Sequence, residues 1–406
     1  MSAPASGRPA ILMVTGAYFP ELSGGGLQSR TMIQALEKWF AFSVFTTCTD
    51  PALPTDDLVE GIPVTRVYVD IARPLTKIAA SLRTVSFFLS RRRSFDIVHL
   101  HGFSQKSILI VLLARLLGKR VMITIHTAVH DEPEGVRRLG RLAYWCYCRA
   151  DRFLAISQAM ARNYRAAGLP ESRLRMVPNG VDLDRFRPAE PGERDQCCRD
   201  LGLDPATRWI AFVGFFSREK HPDLLLAAWL SLPAAVRDGT GLVFVGATDS
   251  KYHEVDRTLA ERMRADAARA GLVERVRFLG ELPGVERVYR AADLLAMPST
   301  REAFGMVIVE AMASALPVIA TRIDGVTDTI VDDGVNGLLV PPLDSEALAG
   351  ALESLLAGRG AAPTMGARAR RCVGERYGLE PSTRRWRAIY RELAAAEIPY
   401  TSSGNE

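Results

Sequence analysis

Short apolar, β-branched runs alternate along this chain with stretches of helical periodicity, and that rhythm narrows the available folds more than any other property. In the first half the runs are Ala10 to Thr15, Phe42 to Thr47, Val64 to Val69, Ile97 to His101 and Val121 to His126. In the second half they are Trp209 to Val213, Leu242 to Val245, Val276 to Leu279, Leu294 to Met297, Val318 to Thr321 and Gly337 to Val340. Several are apolar throughout, as parallel strands buried on both faces are, and the helical stretches supply the crossovers of βαβ units. The expectation is an α/β protein with two doubly wound, Rossmann-like sheets whose ligands meet the carboxyl ends of the strands. A length of 406 residues suits two cores better than one. The boundary falls within Val177 to Trp209, where Asn179-Gly180, Pro188, Pro191 and the charged run Glu190 to Asp204 break the pattern. This gives domains at 1–188 and 189–380, followed by a terminal segment, 381–406. In that segment Trp386, Ile389, Tyr390 and Leu393 share one face of a helix spanning Pro381 to Ala396.

Composition sets the compartment and the partners. A 48% hydrophobic and 24% charged chain is ordinary for a soluble globular protein. The longest apolar stretch, Ile108 to Leu117, is interrupted by Arg115 and is too short to cross a bilayer. The first ten residues lack the basic and apolar regions of a secretory signal, so a cytoplasmic protein is expected. The cysteines at 48, 146, 148, 197, 198 and 372 form no C-x-x-C pair and read as reduced thiols. Residues 1–190 hold 25 Lys/Arg and 16 Asp/Glu, a balance of +9; the remainder hold 26 and 30, a balance of −4, which together give +5. A basic first half suits an anionic membrane surface, a lipid diphosphate or another acidic acceptor. Ser81 to Arg93 and Arg137 to Arg152 mix arginines with aromatics, as interfacial helices do, although packed helices with a solvated arginine face have the same composition. No nucleic-acid-binding module accompanies the charge.

The segment Ser299 to Thr321 carries the chemistry. Glu302 and Glu310 are separated by seven residues around Ala303-Phe304-Gly305-Met306 and an apolar run, which reads as a loop turning into a helix. The first amides of a helix lack intrahelical partners and, with the positive end of the helix dipole, suit an anion. If most of the span is helical, eight steps of about 1.5 Å put the carboxylates up to roughly 12 Å apart. A glycosidase pair is closer, at about 5 to 9.5 Å. An elongated ligand with hydroxyls at both ends and phosphates between them, such as a nucleotide sugar, fits better.

Together with three further segments, this one resembles the retaining glycosyltransferases of the GT-B fold, family 4 type (glycosyl transferases group 1). The others are Phe212-Val213-Gly214 followed by Lys220, Val177 to Asp182 with Phe186 and Pro188, and Asp333 to Pro342. The resemblance covers most of the chain and implies two Rossmann-like domains facing a central cleft. The first domain would bind a sugar, lipid-linked or small-molecule acceptor and the second a nucleoside-diphosphate sugar of UDP or GDP type, with no other cofactor. The terminal helix would cross back to the first domain.

The same resemblance implies that Glu302 contacts the donor-sugar hydroxyls and Glu310 the ribose, while the amides of Ala303, Phe304, Gly305 and Met306 meet phosphate. Lys220 would neutralise the diphosphate as a point charge. An arginine often follows the glycine in relatives, but here that position is Phe215, so Arg218 is the candidate for the second positive charge. Gly25 and Gly26, in a glycine triplet ahead of a helix starting near Gln28, match the loop that approaches phosphate or sugar; the triplet is not the G-x-G-x-x-G dinucleotide fingerprint. His126 would lie beside the donor sugar. His99 and His101 share one face of the preceding strand, where bordering the acceptor and simple packing are both open readings. Asp182-Leu183-Asp184 belongs to the linker segment, and no metal is expected. The other readings are a nucleotide-sugar epimerase or phosphorylase on the same fold, and a silent nucleotide-sugar-binding subunit.

Overall fold

In the computed structural model, which describes residues 7–21, 24–70, 72–248, 255–357 and 361–395, the alternating runs form two sheets in two units. Unit 1 comprises residues 1–178 and 382–406, and unit 2 comprises 179–381. Residues 396–406 of the expected terminal segment lie outside the described residues.

Unit 1 holds β1 (Ala10–Thr15), β2 (Ala41–Cys48), β3 (Asp56–Val59), β4 (Ile62–Tyr68), β5 (Ile97–His101), β6 (Arg120–Ile125), β7 (Arg152–Ala155) and β8 (Leu174–Met176). Their order is β3-β4-β2-β1-β5-β6-β7-β8, and the one antiparallel pair is β3 with β4. Every residue of β1 and β5 is buried, as expected for central strands covered by helices on both faces. β3, β7 and β8 are absent from the sequence-based expectation because each is short and carries a charged residue, Asp56 and Asp57 in β3, Arg152 in β7 and Arg175 in β8, so no continuous apolar run marks it.

Unit 2 holds β9 (Arg208–Val213), β10 (Thr240–Val245), β11 (Val276–Gly280), β12 (Leu294–Met297), β13 (Val318–Thr321) and β14 (Leu338–Val340), all parallel, in the order β11-β10-β9-β12-β13-β14. The strand order therefore reverses between β9 and β12 in unit 2, as it does between β1 and β5 in unit 1. Such a reversal opens a crevice at the carboxyl ends, because the helices after the two central strands leave in opposite directions. Gly246, at φ +142°, lets the chain after β10 come so close to β9 that a Cβ would sit 1.9 Å from the Gly214 carbonyl oxygen.

The chain divides between Pro178 and Asn179, inside the expected window Val177 to Trp209 and ahead of the bound at Pro188. Val181 forms a bridge with Gly378, and the Arg370 guanidinium donates to the Phe186 and Leu183 carbonyls at 3.0 and 3.3 Å, which ties this stretch to the helix Ala361–Tyr377. Asp182 accepts the amides of Asp184 and Arg185, so the D-x-D segment is a hydrogen-bonded turn. The final helix, Leu379–Ala395, starts in unit 2 and from Ser382 onward belongs to unit 1, burying Trp386, Ile389, Tyr390 and Leu393.

Candidate functional site

In unit 2 the reversal point is closed by two loops that bond to each other. The loop after β9 and the loop before the helix Met306–Ala313 are joined by Thr300 N–H donating to the Glu219 carbonyl at 2.8 Å, by an Arg301–Glu219 ion pair and by a His221–Thr300 side-chain bond of 3.2 Å. This pairing brings together two of the expected site residues. The Lys220 Nζ lies 2.6 Å from Glu302 Oε1, and both side chains are largely buried. Burial makes such a pair stronger than a surface ion pair and fixes the direction of both groups.

Glu302 is a loop residue, so the 12 Å spacing based on a continuous helix does not apply: the helix begins only at Met306. Gly305 caps it at φ +99°, a conformation that favours glycine. Phe304 is buried, its ring edge-on to Tyr377 at 5.7 Å, which leaves only its backbone for a ligand. Glu310, one turn into the helix, accepts a hydrogen bond from the Tyr289 hydroxyl at 3.0 Å. Burial pushes its carboxyl up to about 7, against which the Tyr289 bond and the nearby Arg185 act only partly. Arg218 is not held against this cluster: its side chain is 90% exposed and lies 3.9 Å from Asp256.

Unit 1 presents a row of imidazoles at its own reversal point. His99 and His101 stand two residues apart on β5, and His126 follows the end of β6. The rings of His99 and His101 are 4.3 Å apart and those of His101 and His126 4.8 Å, nearly parallel. His101 Nδ1 and His126 Nε2 share a hydrogen bond of 2.7 Å. That bond fixes the orientation of the His126 ring. Burial holds all three imidazoles below their usual range, His126 at about 4, so they are neutral at physiological pH.

Of the two readings open for His99, acceptor contact and packing, its surroundings favour packing. It is fully buried, with Nδ1 bonded to Tyr390 Oη and Nε2 to Thr124 Oγ1, both at 2.7 Å. The terminal helix thus reaches the strand through Tyr390, and His99 is a packing residue. His101 has Nε2 buried without a partner and remains a candidate. The glycine triplet is corrected: Gly24 to Gly26 form the first turn of the helix Gly24–Leu36, not a loop before it. A Cβ on Gly25 would lie 3.7 Å from that of His101, so the helix starts against the imidazole row.

Two further residues at this edge carry no recognisable signal in the sequence. Asp131 accepts the amides of Phe103, His126 and Thr127 at 2.8 to 3.1 Å and so ties the loops after β5 and β6 together. Its carboxyl oxygens fill the space beside Gly102, 3.1 Å from where a Cβ would be, and Gly102 has φ +87°. Lys106, in the first turn of the helix Gln105–Leu116, reaches Thr15 and Thr47 at the ends of β1 and β2. A lysine in that position reads as surface charge from sequence.

Residues 194–372 match the family described as glycosyl transferases group 1, and residues 22–185 match glycosyltransferase family 4. A D-inositol 3-phosphate glycosyltransferase of Nocardia farcinica is 32% identical, over 84% of this chain and 78% of that protein. Another, from Kribbella flavida, is 31% identical over 88% of each. Among solved structures, HepE of Anabaena in complex with UDP and glucose matches at TM-score 0.76 and 20% identity, over 95% of this chain and 99% of that one. Sucrose-phosphate synthase from Thermosynechococcus elongatus matches at TM-score 0.76 and 24% identity, over 96% and 100%. At these identities the structures establish the fold, while the relatives above 30% establish descent. The chain belongs to the group 1, family 4 glycosyltransferases and has their GT-B fold.

Proposed function

We propose that this glycosyltransferase moves a sugar from a nucleoside diphosphate to an acceptor hydroxyl or amine, with retention at the anomeric carbon and without a metal ion. The observation that carries the reading is the part-buried Lys220–Glu302 pair at the reversal point of unit 2, immediately ahead of a helix start and of Glu310. When the bond from sugar to phosphate breaks, negative charge develops on the leaving diphosphate. Lys220 and the amides of Ala303, Phe304, Gly305 and Met306 stabilise that charge, with Arg218 swinging in from solvent. A diphosphate that takes over Lys220 releases Glu302 to accept hydrogen bonds from the sugar hydroxyls. Glu310 and Tyr289 hold the ribose. His126, fixed by His101, offers Nδ1 to the reacting sugar, and Gly25 and Gly26 leave space for it. The leaving phosphate oxygen takes the acceptor proton, so no protein nucleophile is required.

The complex of Anabaena HepE with UDP and glucose supports a UDP-type donor. The names of the relatives support a polyol phosphate among the candidate acceptors, beside lipid-linked and other small molecules. Among the described residues no helix is long and apolar enough to cross a membrane. The helix Pro74–Ser90 exposes Leu75, Ile78 and Leu82 next to Lys77 and Arg83, and the helix Arg141–Tyr147 exposes Leu142 and Trp145; both support docking on an anionic surface.

A thermal-shift panel of UDP, GDP, ADP and their sugar conjugates, with and without EDTA, tests the reading. The expected result is stabilisation by one nucleotide class, unchanged by EDTA. No stabilisation by any nucleotide would contradict it, and release of free UDP with a rearranged sugar, or a need for inorganic phosphate, would replace it with an epimerase or a phosphorylase.

A further inference from the structure

The imidazoles of His101 and His126 are joined nitrogen to nitrogen. His101 Nδ1 lies 2.7 Å from His126 Nε2, while the ring centroids are 4.8 Å apart and the planes 18° from parallel. The nitrogens are much closer than the centroids, so the rings meet edge to edge in a directed hydrogen bond. Neither ring is free to turn away. His101 packs against His99 at 4.3 Å between centroids, and both nitrogens of His99 are held by Tyr390 and Thr124. The Asp131 carboxylate accepts the backbone amide of His126 and anchors that residue from the other side.

A neutral imidazole has one N–H and one bare nitrogen. Burial keeps both rings neutral, with His126 lowered to about 4. One proton occupies the bond between them, so the two outer nitrogens are unlike: one is an N–H donor and the other offers only a lone pair. The surroundings of His101 distinguish the two arrangements. Its Nε2 is buried with no partner. As a donor it would be an orphaned buried N–H, the rarer defect in folded proteins, whereas an acceptor without a partner is better tolerated. The favoured arrangement leaves that nitrogen bare and puts the His101 proton on Nδ1, facing His126.

We propose that His101 is a positioning residue that holds His126 in its Nδ1–H tautomer, so that His126 meets the donor sugar as a hydrogen-bond donor. The proposal rests on the glycosyl-transfer reading, in which His126 faces the sugar, and adds the direction of that hydrogen bond and the residue that sets it. An N–H at this point pairs with a lone pair of a sugar oxygen and not with a hydroxyl proton.

Long-range proton–nitrogen NMR of the full chain, labelled at its six histidines, tests it in the wild type, His101→Phe and His101→Gln, with His126→Gln to assign the signals. Nucleoside diphosphate release from a nucleotide sugar is followed in the same proteins. In the wild type, His126 should carry its proton on Nδ1. His101→Phe removes the donor and should let the proton move to Nε2, with kcat lower by about tenfold, as loss of one hydrogen bond in the transition state implies. The amide N–H of His101→Gln can still donate to His126 Nε2, so this variant should keep the Nδ1–H tautomer and recover most of the rate. A merely structural role for His101 would not tie rate to tautomer in this way. A wild-type His126 protonated on Nε2 overturns the proposal, whether or not the variants fold. So does an unchanged tautomer in His101→Phe, or a His101→Gln protein that matches His101→Phe in both readouts. If the wild type shows the Nδ1–H tautomer and turns over no nucleotide sugar, the role of His101 toward His126 stands and the glycosyl-transfer reading fails.

Discussion

If Glu310 holds the ribose as proposed, nucleotide binding should depend on pH in a direction and size that follow from the burial of its carboxyl. In the free protein its carboxyl is raised from 4.5 to about 7, with burial the largest cause. A raised carboxyl favours the folded state below its unfolded value, and that contribution disappears as pH rises through about 7. Above this range the ionised group is a burden of about 3 kcal/mol. Ribose hydroxyls donating to Glu310 favour the carboxylate and should return its pKa toward 4.5. Binding then strengthens by about tenfold between pH 6 and pH 8 and releases about half a proton at pH 7. Titration calorimetry with UDP in two buffers of different ionisation enthalpy measures both quantities. The nucleotide's own phosphate titrates in this range, so Glu310→Gln, which can still accept from Tyr289, serves as the reference: the difference between the two proteins isolates the carboxyl. Identical pH slopes and proton counts would refute the reasoning.

Gly305→Ala forces a Cβ into a left-handed conformation, 3.3 Å from Ile308 Cδ1. It should cost about 1–3 kcal/mol in urea unfolding and weaken UDP; unchanged behaviour would remove the helix start from the site. Tyr390→Phe strands the buried Nδ1 of His99 and should destabilise by about 1–3 kcal/mol with UDP affinity unchanged, as unfolding and calorimetry together would show. Leu75→Ser with Ile78→Ser should reduce sedimentation with vesicles rich in anionic phospholipid and leave nucleotide binding intact; equal sedimentation would exclude that helix as a membrane contact.

The fold was legible because strands of parallel sheets are continuously apolar, and all six strands of unit 2 coincide with runs visible in the sequence. What escaped is short or non-local. β7 has four residues beside charged neighbours, and the boundary moved because Arg370 and Gly378, far along the chain, claim Val181 to Phe186. In the site, Glu302, Lys220 and Glu310 were visible as residue types at a spacing, whereas the 2.6 Å contact that pairs two of them depends on β9 and β12 being neighbours. His99 and His101 look equivalent in the sequence. Only the partners differ, with Tyr390 and Thr124 saturating the one and His126 leaving a nitrogen of the other unmatched. Lys106 and Asp131 acquire meaning from groups on other strands, and a linear pattern does not encode those.

The central claim, that Lys220 and Glu302 act together in sugar transfer, is tested most directly by the release of nucleoside diphosphate from a nucleotide sugar when acceptor candidates are supplied. It should be measured for the wild type, Lys220→Met and Glu302→Gln, with the anomeric configuration of the product read by NMR. The account predicts acceptor-dependent release and a retained configuration for the wild type. Each variant should lose about a hundredfold or more in rate, as loss of a charge-stabilising group does, while remaining folded. Full activity in either variant, or an inverted product, would contradict it.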